Sequence, residues 1–290
     1  MLEQRHRYEL RNRYLFTGKL LMQTALHIGG GKVTLSSSDS PVVLTPEEIP
    51  FIPGSSFKGS LRSTVEKLVP GLPGEWSSCA LIEVSDEEAK QAKEQNKRVC
   101  PTVRQKDITK KRRDHPGQEE KLRARILKDL CHTCQLFGSP FAAARMAIND
   151  LYMPEGTWHG ILQMRDGVAI DRDSEKAKDR LKYDFEVVPA SATFDLAMTL
   201  ENATAQDLQL ISVGLSEFVH GFGTIGGKRS RGLGACLLND LQVYLLELSG
   251  VDERERNERL RNYLLGKKPE QKFHSKESGE QFLNKHITSL

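Results

Sequence analysis

An α+β fold of the ferredoxin-like (RRM-like) kind, with antiparallel strands carrying helices on one face, is predicted by three observations. Strand-like and helix-like stretches follow one another in the order strand, helix, strands, helix, strand. Two long polar segments interrupt that order and read as insertions projecting from a more regular domain. A chain of 290 residues with 38% hydrophobic residues is also able to build such a core.

Residues 12–27 are β-prone, with Phe16, Leu20 and Met22 on one face, and break at His27-Ile28-Gly29-Gly30-Gly31 into a flexible loop. The loop runs through Ser36, Ser37, Ser38, Asp39 and Ser40 to Pro41, so Asp39 sits at its tip. Val42, Val43 and Leu44 then read as a short buried strand. Phe57, Leu61, Val65 and Leu68 have helical spacing after Pro53-Gly54-Ser55-Ser56; the helix is expected to start near Phe57, with Ser55 or Ser56 as its cap. Lys58 and Arg62 stand one turn apart on its polar side, near the positive end of the helix dipole, where a phosphate is favoured.

The first insertion, residues 70–135, is charged and turn-rich, with a short helix expected over 123–130. Residues 158–164 and 192–200 alternate like strands, and the charged connection 165–190 is expected to protrude as a hairpin or lobe. Leu208, Ile211, Leu215 and Phe218 mark a second amphipathic helix, followed by the glycine-rich segment 221–234 and a strong strand over 237–246. The regular domain therefore spans 12–246. Residues 247–290 read as a charged appendage, helical or partly disordered.

The chain shows no charged-then-apolar leader and no apolar run near the ~18–20 residues of a membrane span, so a globular, cytoplasmic protein is expected, with no membrane partner. The net charge of +3 hides a basic cluster: residues 97–128 carry twelve Lys or Arg against four Asp or Glu. Clusters of this kind bind phosphate backbones through neutralisation and counterion release, although a solvated mobile insertion has the same composition.

Gly226-Gly227-Lys228-Arg229-Ser230-Arg231-Gly232-Leu233-Gly234 sets three cations among glycines, and is the best anion-binding loop of the chain. It is no Walker A loop, because Phe222 stands where the first glycine belongs and Arg229 follows the lysine. It is no dinucleotide fingerprint either, since a strand rather than a helix follows. Cys131-His132-Thr133-Cys134 offers two thiolates to one tetrahedral ion, and Cys79 and Cys100 complete a structural zinc set in which His115 or His132 could replace one thiolate. A thioredoxin-type pair would need a strand-to-helix turn of a parallel sheet, and haem attachment fails because Gln135 follows Cys134. Cys236 lies in an apolar strand and is a core residue. His27 has the chemistry of a general acid-base or of a hydrogen-bonded structural residue, and Asp39-Ser40-Pro41 is good turn chemistry in any loop.

Three blocks together resemble the RAMP superfamily of CRISPR-associated proteins, and in particular the backbone subunits of type III effector complexes. One runs from Leu26-His27-Ile28-Gly29-Gly30-Gly31 through Asp39-Ser40-Pro41-Val42-Val43 to Ile52-Pro53-Gly54-Ser55-Ser56-Phe57-Lys58-Gly59-Ser60-Leu61-Arg62. The second is Val168-Ala169-Ile170-Asp171-Arg172 with Glu186-Val187-Val188-Pro189-Ala190, and the third ends Ser230-Arg231-Gly232-Leu233-Gly234.

The resemblance implies a ferredoxin-like palm, a thumb hairpin at 165–190 that wedges into a guide–target duplex, and a zinc-bearing insertion. It implies guide RNA, target RNA and other effector subunits as partners. The cleaving carboxylate falls before the proline of the first loop, at Asp39, and the RNA-binding candidates are His27, Ser55, Ser56, Lys58, Arg62, Ile170, Lys228, Arg229 and Arg231. The implied reaction is attack of a ribose 2'-hydroxyl on the adjacent phosphate, helped by Asp39 as base or as ligand to magnesium or another divalent ion. Two rival expectations keep the fold: a scaffold in which Asp39 only forms a turn, and a guide-processing endoribonuclease built on His27.

Overall fold

The computed structural model describes residues 9–30, 38–95, 97–114, 117, 119–170 and 177–290. The chain opens with strand β1 (Asn12–Met22) and, after the first loop, the short β2 (Phe51–Ile52) leads into helix α1 (Gly54–Leu68). The first insertion holds α2 (Asp86–Glu94), α3 (Gln105–Asp114) and α4 (Glu119–Asp129), and ends in α5 (His132–Phe137). Short strands β3 (Met146–Ile148) and β4 (Leu151–Tyr152) precede the hairpin of β5 (Gln163–Ile170) and β6 (Ala177–Val187). Then come β7 (Thr193–Glu201), α6 (Ala205–Val219) and β8 (Cys236–Glu247), and after these α7 (Glu253–Leu265), α8 (Pro269–Lys272), β9 (Ser275–Ser278) and α9 (Gly279–Ile287).

The main sheet has the order β3-β7-β1-β8-β9, and every pairing in it is antiparallel. β1 is central because its alternate residues Phe16, Leu20 and Met22 have no exposed surface and face the helices. Phe57, Leu61 and Val65 of α1, Leu208, Ile211, Leu215 and Phe218 of α6, and Phe282 of α9 cover that face. The two-residue side-chain alternation of β8 is broken once. Thr17 pairs Gln242 but Lys19 pairs Asn239, a bulge in which Asp240 takes a left-handed conformation, φ 53°. That extra residue lets Cys236 and Leu238 before it, and Leu241 and Val243 after it, all serve the same core.

The structure differs from the sequence reading at several points. Helix α1 starts at Gly54, three residues before Phe57. A side chain at position 54 would place its Cβ 2.3 Å from the Ile148 carbonyl oxygen, and Gly54 is what allows the helix start to lie against β3. Pro53 is the N-cap and no side chain caps it, so Ser55 and Ser56 lie inside the first turn. Residues 42–44 make isolated bridges, Val42 with Gly29 and Leu44 with Pro50, in place of a continuous strand. The strand expected over 158–164 starts at Gln163. Residues 247–290, read as an appendage, complete the fold. β9 forms the sheet edge against β8, α9 sends Phe282 and Leu283 into the main core, and Phe273 packs with Tyr244, Leu246 and Leu248 on the opposite face of the sheet. Helices therefore cover one face, and the tail covers part of the other. Among the described residues no helix is long and apolar enough to cross a membrane.

Candidate active site and metal centre

The first loop docks on β6, and the alternation of that strand explains how. Tyr183, Phe185 and Val187 point one way, into a small apolar cluster with Ala25 and Leu233. Asp184 and Glu186 are left facing the loop. The Asp39 amide donates to Asp184 Oδ1 at 2.7 Å, and the Asp184 amide donates back to Asp39 Oδ2 at 3.1 Å. The Glu186 amide donates to the Ser40 carbonyl at 3.1 Å, and the Val42 amide donates to Glu186 Oε2 at 3.0 Å. Asp39 itself is exposed.

His27 is 5% exposed. Its Nδ1 lies 2.7 Å from the Glu186 carbonyl oxygen, which can only accept, so Nδ1 carries the proton. Nε2 then accepts from the Ser40 hydroxyl at 3.2 Å. Burial holds this imidazole below its ordinary pKa, against the pull of the Glu186 carbonyl and carboxylate; the Lys228 charge lowers it further. Both ring nitrogens are spent on joining the first loop to β6.

The glycine-rich loop closes the same site from the other side. Gly226, at φ 82°, passes so close to His27 that a Cβ would sit 2.4 Å from the His27 carbonyl oxygen, and the Gly227 amide donates to that oxygen at 2.9 Å. Lys228 Nζ lies 4.3 Å from the centre of the Phe185 ring, and Arg231 donates to the Tyr183 hydroxyl. Arg229 is exposed. The structure thus gathers His27, Asp39, Lys228 and Arg231 around β6. Ile170 lies far along the hairpin, where its backbone pairs Ala177.

Ser55, Ser56, Lys58 and Arg62 belong to α1, which is tied to the glycine-rich loop where the Ser60 hydroxyl donates to the Thr224 carbonyl. The N-terminus of α1, read from the sequence as a phosphate position, already holds an anion: the Gly54 amide donates to Asp150 Oδ1 at 2.8 Å. Burial, and then the charge of Arg62, hold Lys58 below its ordinary pKa. Arg62 turns away from the polar face expected for it. Its Nε donates to Glu66 at 2.7 Å, its Nη1 to the Gly138 carbonyl at 3.1 Å, and its Nη2 to Cys134 Sγ at 3.3 Å.

That last bond leads to the cysteine cluster. The sulfurs of Cys79, Cys100, Cys131 and Cys134 all lie within 4.8 Å of one another, and Cys79 and Cys134 are 3.6 Å apart. A tetrahedral ion with bonds of about 2.3 Å separates its sulfurs by about 3.8 Å, so four thiolates so placed can hold a metal such as zinc. Hydrogen bonds from Cys131, Cys134 and Cys79 hold the Cys100 thiol far below its ordinary value, while bonds to Cys100, Cys131 and Cys134 push the Cys79 thiol up; the four sulfurs compete for protons that a metal would displace. Thr102 donates to Cys134 Sγ at 3.2 Å and Thr133 lies 3.3 Å from Cys131 Sγ. His132 does not join the set, since its Nδ1 accepts from the Ser77 amide at 3.1 Å; His115 lies outside the described residues. Asp184 and Asp150, which the sequence reading did not name, and Glu186, quoted only within the second block, are central here. They are acids whose role is visible only once the loop, or the helix start, is docked beside them.

A sequence model described as RAMPs, the RAMP superfamily, matches residues 19–236. A protein named CRISPR system Cms endoribonuclease Csm3 from Methanothermobacter thermautotrophicus is 37% identical over 78 residues, which cover 24% of this chain and 32% of that protein. Proteins of the same name from Enterococcus italicus and Streptococcus thermophilus are 48% identical over 61 residues and 41% over 56, covering 20% and 18% of this chain and 28% and 26% of theirs. The matched segments thus span about a third or less of those relatives. The family match covers the end of β1 from Lys19, all of β7, helices α1 and α6, the docked first loop and the glycine-rich loop, and on that ground the chain belongs to the RAMP superfamily.

Proposed function

We propose that this chain is a backbone subunit of a type III CRISPR ribonucleoprotein, which binds guide RNA and cleaves the complementary target RNA at Asp39. One observation carries the reading: an exposed carboxylate at a loop tip is bonded to the base of a projecting hairpin, on whose opposite face Lys228 and Arg231 pack against Phe185 and Tyr183. In this reading the sheet domain is the palm and the β5–β6 hairpin the thumb, whose outer end around Ile170 wedges into the guide–target duplex. A wedge splays one target nucleotide, and a splayed ribose can bring its 2'-hydroxyl in line with the next phosphorus. Asp39 then takes the hydroxyl proton, or holds a divalent ion such as magnesium together with RNA oxygens. The products are a cyclic phosphate and a 5'-hydroxyl. Guide pairing supplies sequence specificity while Ser55, Ser56, Lys58 and the glycine-rich loop hold the backbone. The cysteine cluster carries structural zinc, and neighbouring effector subunits complete the complex.

The rival built on His27 as the acid-base of a guide-processing nuclease is disfavoured, because that ring is buried and both its nitrogens are bonded within the protein. A scaffold without cleavage is separated from the main reading by one experiment. In the assembled complex, Asp39→Ala is expected to abolish cutting of guide-complementary RNA opposite this subunit while RNA binding persists. Cutting that continues unchanged would make the chain a scaffold.

A further inference from the structure

We propose that Asp184 is the positioning residue of the cleavage site, and that through it the hairpin sets the orientation of Asp39. This inference rests on the reading of Asp39 as the cleaving carboxylate. The two residues form a reciprocal pair in which each side chain accepts the other's backbone amide, at 2.7 and 3.1 Å. The first bond holds the Asp39 backbone, and the second holds Oδ2 of its carboxylate, so both the main chain and the side-chain torsion of Asp39 are referred to β6. Asp39 Oδ1 is left outside the pair.

Docking of the loop does not depend on this pair. Ser40 and Val42 are bonded separately to Glu186, and His27 bridges the same two segments. What Asp184 adds is specific to position 39. Nor does hairpin stability call for an acid there, because Asp184 stands directly opposite Asp166 on β5, a like-charge placement that an antiparallel ladder disfavours. Asp184 also directly precedes Phe185, which with Val187 anchors the hairpin base, so a hairpin seated on RNA would carry Asp184, and with it Asp39, as one rigid piece.

The test uses the assembled complex with guide-complementary RNA, measuring single-turnover cleavage and target affinity for Asp39→Ala, Asp184→Ala and Asp184→Asn. Asp184→Ala removes the acceptor for the Asp39 amide, and is expected to slow cleavage about 100-fold, the scale of a misplacement near 1 Å, at unchanged affinity. Asp184→Asn keeps an oxygen acceptor in the same place, and is expected to recover most of the rate. Normal cleavage by Asp184→Ala beside an inactive Asp39→Ala overturns the positioning role and leaves the reading of Asp39 intact. An Asp184→Asn variant as slow as Asp184→Ala overturns it differently, by showing that the charge of Asp184 rather than its bond to the loop is what matters. Full cleavage by Asp39→Ala overturns the reading of Asp39 and this inference with it.

Discussion

Replacing Cys134 by serine tests what holds the first insertion together. Between the end of α1 and Cys131, the buried aliphatic side chains among the described residues are Val69 at the helix end, then Ile126 and Leu130. Within the insertion proper that leaves Ile126 and Leu130, and burying two such side chains is worth about 3–6 kcal/mol. A structural zinc ion bound by thiolates contributes about 10–16 kcal/mol at neutral pH. The metal term is the larger, so α2, α3 and α4 should depend on it for their order, while the sheet domain has a separate core built on Phe16, Phe57, Phe194 and Phe218. Cys134 is the cysteine to change because its sulfur is fully buried and also receives Arg62 and Thr102.

The assay is hydrogen exchange on the full chain, native against Cys134→Ser, and native with and without a strong chelator, with bound metal measured in each sample. Amides of α2, α3 and α4 should lose protection together as metal is lost, while those of β1, β7 and β8 keep theirs. Full metal loss with unchanged protection in the insertion would refute the reasoning, and the order of α2, α3 and α4 would then rest on their own packing and capping rather than on an ion.

Arg62→Ala separates two roles for one side chain. If Arg62 serves the cysteine cluster, metal affinity should drop about 10–100-fold with the RNA salt dependence unchanged; a phosphate contact would instead lower the salt slope by about one. By contrast Arg229→Ala, at the exposed apex of the glycine-rich loop, should weaken RNA binding uniformly across sequences and reduce the slope by about one, read by titration at several salt concentrations. His27 sets a pH dependence whose sign follows from its lowered pKa. Above the ordinary value of 6.5 both folded and unfolded chains hold it neutral; as pH falls through that value the unfolded chain takes the proton first, so stability declines until the folded value is passed. The loss of thermal stability between about pH 7.5 and about pH 5.5 should therefore be smaller in His27→Gln than in the native chain, and equal losses would remove His27 from the account. Gly226→Ala should destabilise the chain by more than about 1 kcal/mol in denaturant unfolding, because its left-handed backbone and the nearby His27 carbonyl leave no room for a Cβ.

What was legible in the sequence followed from periodicity, and what was not followed from its absence. β1, α1 and α6 carry apolar residues at regular intervals, β8 does so on either side of its bulge, and they make the core as read. The helices of the insertion do not. α2 has only alanines as apolar residues, and α3 has a single isoleucine, Ile108, among its charges. Such segments are held by capping at Ser85, by the pairing of Arg104 with Asp86 and Asp107, and by the cysteines, none of which has a repeat to detect. The tail escaped for the same reason: β9 is Ser-Lys-Glu-Ser, and its place at the sheet edge is fixed by pairing with β8 rather than by side chains of its own.

At the candidate site the family resemblance pointed to Asp39 and the spacing of glycines and cations to the basic loop, but the direction of long polar side chains is a tertiary property. Arg62 lies one helical turn from Lys58, which in sequence reads as a shared phosphate-facing edge, yet the half-buried carboxylate of Glu66, the Gly138 carbonyl and the sulfur of Cys134 take up its guanidinium. Asp184 shows the converse. In a strand that alternates Tyr183, Phe185 and Val187 inward, the acids between them read as a solvated face, and only the docking of a loop from 145 residues earlier turns that face into part of a site. A polar residue on the outer face of a strand is therefore informative here only together with the loop that lands on it, and the placement of Asp39 is a property of the hairpin as much as of the loop that carries it.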